Sequence, residues 1–180
     1  MLTTILMILA VIVLAVLAFA ATRPDDFEVR READIAASPA KIFGYLNDFG
    51  QWVKWSPWEK MDLSMQKTMS GAASGKGSIY QWKGNKKVGE GRMEILDSTP
   101  SSSVKIDLQF IAPFKAHNQT LFTLTPTDNG RNGTTHVNWS MTGKKNFVMK
   151  LMGVFMDMDK MVGRDFEAGL ATLKSEAEKN

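Results

Sequence analysis

Between Phe147 and Leu173 apolar residues recur at the helical period in a proline-free stretch too long for a strand, so the rest of the chain must wrap around it. Stepping about 100° per residue sets Phe147, Leu151, Val154, Phe155, Met158, Met161, Val162, Phe166 and Leu173 on one broad stripe, the face that a single long helix turns toward a core. Asp165 and Gly169 fall on the same stripe. A carboxylate and a missing side chain leave two readings of that interior: room for a ligand, or a rim carboxylate beside a glycine that admits a strand closely. Met149, Met152, Met156, Met158 and Met161 also lie in this stretch, and flexible thioethers adapt to variable contents.

At the other end, Leu2 to Thr22 carries no charged side chain and as helix would span roughly 30 Å, the hydrocarbon thickness of a bilayer. Ala18-Phe19-Ala20 would suit a cleaved signal peptide, but no Lys or Arg precedes the apolar run; an uncleaved anchor fits the length and flanks better. Residues 1–22 are therefore read as a transmembrane anchor, 23–26 as a linker opened by Pro24, and 27–176 as one globular domain. Arg23, Arg30 and Arg31 follow the span, which places the domain in the cytoplasm, with a periplasmic or exported domain as the alternative.

A chain of 180 residues with 44% hydrophobic content has enough apolar material for one good core. Its lysines are scattered and not interleaved with aromatics, so a nucleic-acid stacking platform is disfavoured. The absence of cysteine excludes disulfides, thiolate nucleophiles and zinc–thiolate sites.

From Phe27 to Ile35 apolar and charged residues alternate as in a half-buried strand. Ser38-Pro39 caps a short helix to about Asn47, and Trp52, Trp55 and Trp58 crowd the bend at Pro57. Six more strands are predicted over Met65–Ser70, Ser78–Lys83, Lys86–Leu96, Ser103–Ile111, Lys115–Thr125 and Thr134–Gly143, with turns at Gly71–Gly77, Gly84-Asn85, Ser98–Ser102, Pro113 and Asp128–Gly133. One sheet face is apolar and should meet the terminal helix.

This element order, with Phe27-Glu28-Val29, Ser38-Pro39-Ala40-Lys41-Ile42-Phe43, Asn47-Asp48-Phe49, Trp55-Ser56-Pro57-Trp58, Gly89-Glu90-Gly91-Arg92-Met93 and Met161-Val162-Gly163-Arg164-Asp165-Phe166-Glu167, resembles the START and birch-pollen-allergen (SRPBCC) superfamily, and within it bacterial polyketide cyclase/dehydrase-like members. The resemblance covers roughly residues 26 to 175. It implies an α+β helix-grip fold: a curved antiparallel sheet holds the last helix, with a cavity between them. A membrane span before such a domain is familiar among these relatives. The superfamily includes lipid carriers, ring-closing enzymes and chaperone-activating modules, so the resemblance selects no chemistry.

Several standard sites fail on spacing. Gly71 to Gly77 is one residue short of a phosphate loop and puts glycine where Ser or Thr must meet magnesium; Gly89-x-Gly91 reads as a bulge; no G-x-S-x-G elbow occurs. His117 and His136 lie too far apart along a β-ladder to share a metal, and Asp157 and Asp159 sit on nearly opposite sides of a helix. Asp157 is expected to pair with Lys160, and Arg164 with Glu167. No metal or cofactor is expected. For proton transfer the candidates are Asp165 and His117, with Glu90, Arg92 and Asn118 on strands that face either a cavity or solvent.

The aromatic set, with Trp52, supplies most candidate ligand contacts: Trp55, Trp58, Tyr80, Trp82, Arg92, Phe110, Phe122, Trp139, Phe155, Met158 and Asp165. Met149, Met152 and Met156, beside Lys144, Lys145 and Lys150, form an apolar strip rimmed by positive charge, suited to an anionic membrane or a protein partner, or to packing under a loop. Three functions follow in order: a membrane-tethered binder of a lipophilic small molecule or lipid; a cyclase- or dehydratase-type enzyme; and a non-catalytic interaction module for a membrane partner.

Overall fold

The computed structural model describes residues 1–127 and 133–179. An apolar helix α1 (Leu2–Thr22) leads through Arg23-Pro24-Asp25 into strand β1 (Asp26–Ile35) and a short helix α2 (Pro39–Leu46). Two 3-10 turns, Phe49–Lys54 and Pro57–Lys60, follow. Six strands come next: β2 (Gln66–Gly71), β3 (Ser78–Lys83), β4 (Glu90–Thr99), β5 (Ser103–Ala112), β6 (Ala116–Pro126) and β7 (Thr135–Lys144). Helices α3 (Phe147–Phe155) and α4 (Met158–Ala177) close the chain. The strands form one open antiparallel sheet in the order β1-β7-β6-β5-β4-β3-β2. This is the expected α+β helix-grip architecture. The expected turn at Asp128–Gly133 falls largely outside the described residues.

Local chemistry accounts for most boundaries. Ser38 accepts a hydrogen bond from the Lys41 backbone N–H at 3.3 Å, and Pro39 occupies the first turn of α2. The strand expected from Lys86 instead begins at Glu90, because Asn85 to Gly89 closes a hydrogen-bonded turn with Gly89 at φ +66°. Pairing then slips between Glu90 and Gly91, the predicted bulge. A β-carbon on Gly91 would stand 2.4 Å from the Trp82 ring and 2.5 Å from the Gln109 carbonyl oxygen, so only glycine fits there.

The terminal helix departs from the expected single rod. Asp157 accepts from the Lys160 backbone N–H at 3.1 Å and starts α4, after α3 has been started separately by Asn146, which accepts from Met149 at 2.9 Å. An aspartate able to satisfy an orphan N–H interrupts the projection, and the stripe drawn across it dissolves. No α3 residue is buried, Phe155 is 75% exposed and Met161 50%; of the stripe only Phe166 and Leu173 are fully buried.

The core lies where α4 crosses the inner sheet face. Trp139 of β7 stacks on Phe166 of α4 with centroids 3.9 Å apart and planes 7° apart. Trp55 and Phe122 pack against the same indole at 5.6 and 4.9 Å. Backbone anchors hold the aromatic bend: Trp52 and Trp55 donate their indole N–H groups to the carbonyls of Leu46 and Tyr45. Arg31, projecting from β1, donates to the Asp159 carboxylate and carbonyl at 3.1 Å and to Glu167 at 2.7 Å, where Gly163 leaves space for the guanidinium. Glu167 thus pairs with Arg31, not with the expected Arg164, while Asp157 does pair with Lys160 at 3.6 Å.

Gly169 is the packed alternative of the two sequence readings. A β-carbon there would lie 2.9 Å from Trp139 and 3.2 Å from Pro57. Gly169→Val should therefore overpack the stack and lower stability by about 1–3 kcal/mol, read by urea unfolding of the detergent-solubilised chain; unchanged stability would mean the space beside Trp139 is free.

Candidate functional site

A cavity of about 620 Å3 lies not inside the aromatic cluster but at the end of the domain where β1 begins. Its walls are the Arg23-Pro24 linker, Phe27 to Val29 of β1, the Met149–Val154 side of α3, and the α3–α4 joint from Phe155 to Asp159. The break at Asp157 makes this space: α3 turns away from the sheet instead of continuing α4 across it. The walls are mixed: Phe27, Val29, Met149, Val154, Phe155 and Met158 supply apolar surface, and the charged residues around them supply about as much polar surface. A β-carbon on Gly153 would meet nothing within 4 Å, so α3 has room on its cavity side.

Three acids around the cavity have partners, while Glu28, also in its lining, is exposed and has none among the described residues. Lys150 pairs with Asp25 and holds that carboxyl below its usual range, first by hydrogen bonding and then by charge. Asp157 is likewise lowered, chiefly by the Lys160 N–H that it caps, and Asp159 is held by Arg31. Lys145 donates its backbone N–H to the Asp25 carbonyl at 2.6 Å, tying the linker to the foot of α3.

The sequence candidates divide among four places. Phe155 and Met158 line the cavity. Trp55, Phe122 and Trp139 fill the core, and half-buried Trp58 meets Trp139 and Phe166 edge-on. Trp139 Nε1 is buried there, and Asn118 Oδ1 is buried at the end of the sheet beside Gly143 and Phe27, each with no partner among the described residues. Tyr80 donates to Glu59 at 2.6 Å, and burial, then that carboxylate, pushes its phenol well up; Trp82 donates to the Val88 carbonyl at 2.9 Å and packs on Phe110.

Register places the remaining polar candidates on the outer face. Arg92 stands opposite Gln81 and Gln109 and donates to Glu94 at 2.6 Å; His117 is also opposite Gln109 and contacts Asp107. Gly91, next to Arg92, and Phe110, next to the Gln109 that stands opposite His117, face inward against Trp82, so Arg92 and His117 turn away from the α4 side. A separate depression of about 390 Å3 lies beside Phe110 and His117. His136 reaches Asp34 at 2.8 Å, far along β7, so the histidines do not meet. Glu90 pairs with Lys83 at 3.2 Å. Among the described residues no group of three His, Cys, Asp or Glu is placed to hold a metal.

Asp165 is half-buried on α4, and burial alone raises its pKa, with no partner among the described residues to oppose the shift. The sequence reading missed Phe27, Lys150, Gly153 and Val154 as cavity residues. The signal was present: Asp157 is a capping residue inside an apolar run, and Gly153 is a gap within α3.

Comparison with known proteins bears on this geometry. Residues 26–178 match the family model described as polyketide cyclase / dehydrase and lipid transport. Among solved structures, the chain is similar to protein CV1439 from Chromobacterium violaceum (13% identity, TM-score 0.60, covering 85% of this chain and 98% of that one). It is similar to Aha1 from Colwellia psychrerythraea, solved as a dimer (18%, TM-score 0.58, 84% and 96%). It is also similar to the major latex-like protein 151 of Panax ginseng (10%, TM-score 0.60, 87% and 100%). At these identities the likeness establishes the fold. No curated protein sequence matches the chain.

The raised pKa of Asp165 has a defined sign. An acid whose folded pKa lies above its unfolded value costs stability as pH rises through that window, and the penalty is complete above it. Asp165→Asn should therefore be more stable than the parent at neutral pH by a modest margin, since the group is partly solvated. The difference should vanish as pH falls through the ordinary carboxylate range, read by urea midpoints across pH; a loss at neutral pH would reveal a partner for the carboxylate.

Proposed function

Since this chain belongs to the polyketide cyclase / dehydrase and lipid transport family, we propose that it is a membrane-tethered binder of a lipophilic small molecule or lipid, with the ligand seated in the cavity under α3. One observation carries the reading: a cavity of about 620 Å3 at the foot of α1 has Phe27, Val29, Met149, Val154, Phe155 and Met158 among its walls. Its volume falls in the range of small-molecule sites, which bury apolar ligands against a few polar groups. The mixed lining suits an amphipathic ligand: the apolar side chains would take its tail, and Arg23 and Lys145 supply donors for an acidic head.

α1 serves as the anchor. Its mean hydropathy of 3.0 over a spanning window and its lack of charge fit hydrocarbon, and almost all of it is left uncovered by the domain. Arg23, directly after the span, supports a cytoplasmic domain. A second reading, a cyclase- or dehydratase-type reaction, is favoured by one feature, the partnerless and half-buried Asp165. The two separate cleanly, because filling the cavity under α3 blocks a ligand there without altering Asp165.

Gly153→Trp places an indole in that space. The variant should bind a fluorescent lipophilic probe about tenfold or more weakly than the parent, roughly 1.4 kcal/mol, with an unchanged unfolding midpoint. Native mass spectrometry of the parent from its own host should find a lipophilic molecule that the variant lacks. Equal probe binding and repeatedly empty parent protein would remove the cavity as the site.

A further inference from the structure

The apolar side chains missing from the expected core stripe collect at one end of the domain. Only Arg23, Pro24 and Asp25 separate α1 from β1, and β1 pairs antiparallel with β7 through Asp26 opposite Lys144. The end of β7 therefore lies where β1 starts, and α3 begins beside the foot of α1. Ala20, in the last turn of α1, is completely buried there. The register continues across the sheet: Gly143 faces Asn118 and Ala116 faces Phe110, which brings the β5–β6 turn to the same end.

What this end exposes is consistent. Phe147, Val148, Met152, Phe155 and Met156 of α3 and its joint are exposed, and so is Phe114 in the β5–β6 turn. Arg23, Lys115 and Lys144 are exposed around them, with Lys145 half-exposed. Of the acids near the foot of α1, Asp25 is answered by Lys150 and Asp26 by Lys144 at 3.9 Å, which leaves exposed Glu28 against Arg23, Lys115 and Lys145. An apolar surface with a basic border, fastened to the exit of a membrane-length helix, has the chemistry of a bilayer interface carrying anionic headgroups.

We propose that this end of the domain is a membrane-seating surface, in which α3 lies in the interface of the bilayer that α1 enters and Phe155 and Met152 reach below its headgroups. Of the preceding reading the inference rests only on α1 as a span; it does not depend on what fills the cavity. Seated this way, the α3–α4 joint, which forms a wall of the cavity, faces lipid.

The chain contains no cysteine, so single nitroxide labels can be placed on the full chain through Phe155→Cys, Met152→Cys, Ile12→Cys in α1 and Lys105→Cys near the far end of β5. In nanodiscs of phosphatidylcholine and phosphatidylglycerol, the ratio of collisions with oxygen to collisions with a water-soluble nickel chelate should be severalfold higher for the two α3-region labels than for the β5 label. It should approach the α1 value and fall when phosphatidylglycerol is omitted. If the α1 label is in lipid while the α3-region labels match the β5 label, the seating surface is overturned and the anchor stands. A water-exposed α1 label would overturn both. Strong dipolar coupling between labels of two copies, without lipid contact, would assign the surface to a second copy of the chain and overturn the proposal as well.

Discussion

The stack of Trp139 on Phe166 decides where this domain has space. It joins the middle of the sheet to α4 with ring centroids 3.9 Å apart, close enough that Gly169 must lack a side chain beside it. Trp55 and Phe122 crowd the same indole, and aromatic rings bury large area in defined geometry. These rings occupy the centre of the helix-grip interior. The cavity under α3 opens where α4 has not yet begun and the chain runs away from the stack.

Arg31 sets the second half of that geometry. From β1 it reaches over Gly163 to hold the first turn of α4 through Asp159 and its middle through Glu167, and these two acids raise its already high pKa further. The clamp sits one turn past the break at Asp157, so it secures the start of α4 while α3 carries no equivalent tie to the sheet. The acids on this stretch are used structurally, Asp157 as a cap and Asp159 as a clamp ligand. A D-x-D on a helix, which invites a metal reading, here consists of two separate positioning devices.

Much of the fold was legible because alternation and turn chemistry are local. β3 matches its predicted span, Ser78 to Lys83, and the other strands keep their order with ends shifted by a few residues. The site was legible only in part, for physical reasons. Arg92 and His117 lie on the right strands but the wrong side for an interior, and a single position sets that side: Gly91 and Phe110 must turn inward against Trp82. Aromatic residues in a row signal burial equally well whether they line a hollow or fill it, and Trp139 and Trp55 fill it. The cavity wall, Gly153 and Val154, hid inside what read as one continuous helix.

The same helix carries the last lesson. Hydrophobic periodicity reports that one face of a segment leaves water; it does not say what receives that face. Across Phe147 to Met161 the pattern was assigned to the protein core, yet Phe147, Phe155 and Met161 stand out in the open. A soluble domain with such a patch invites association. On a chain whose own apolar helix is long enough to cross a bilayer and packs its final turn against that segment, a periodic stripe has a second candidate receiver, a lipid interface, to weigh against an interior.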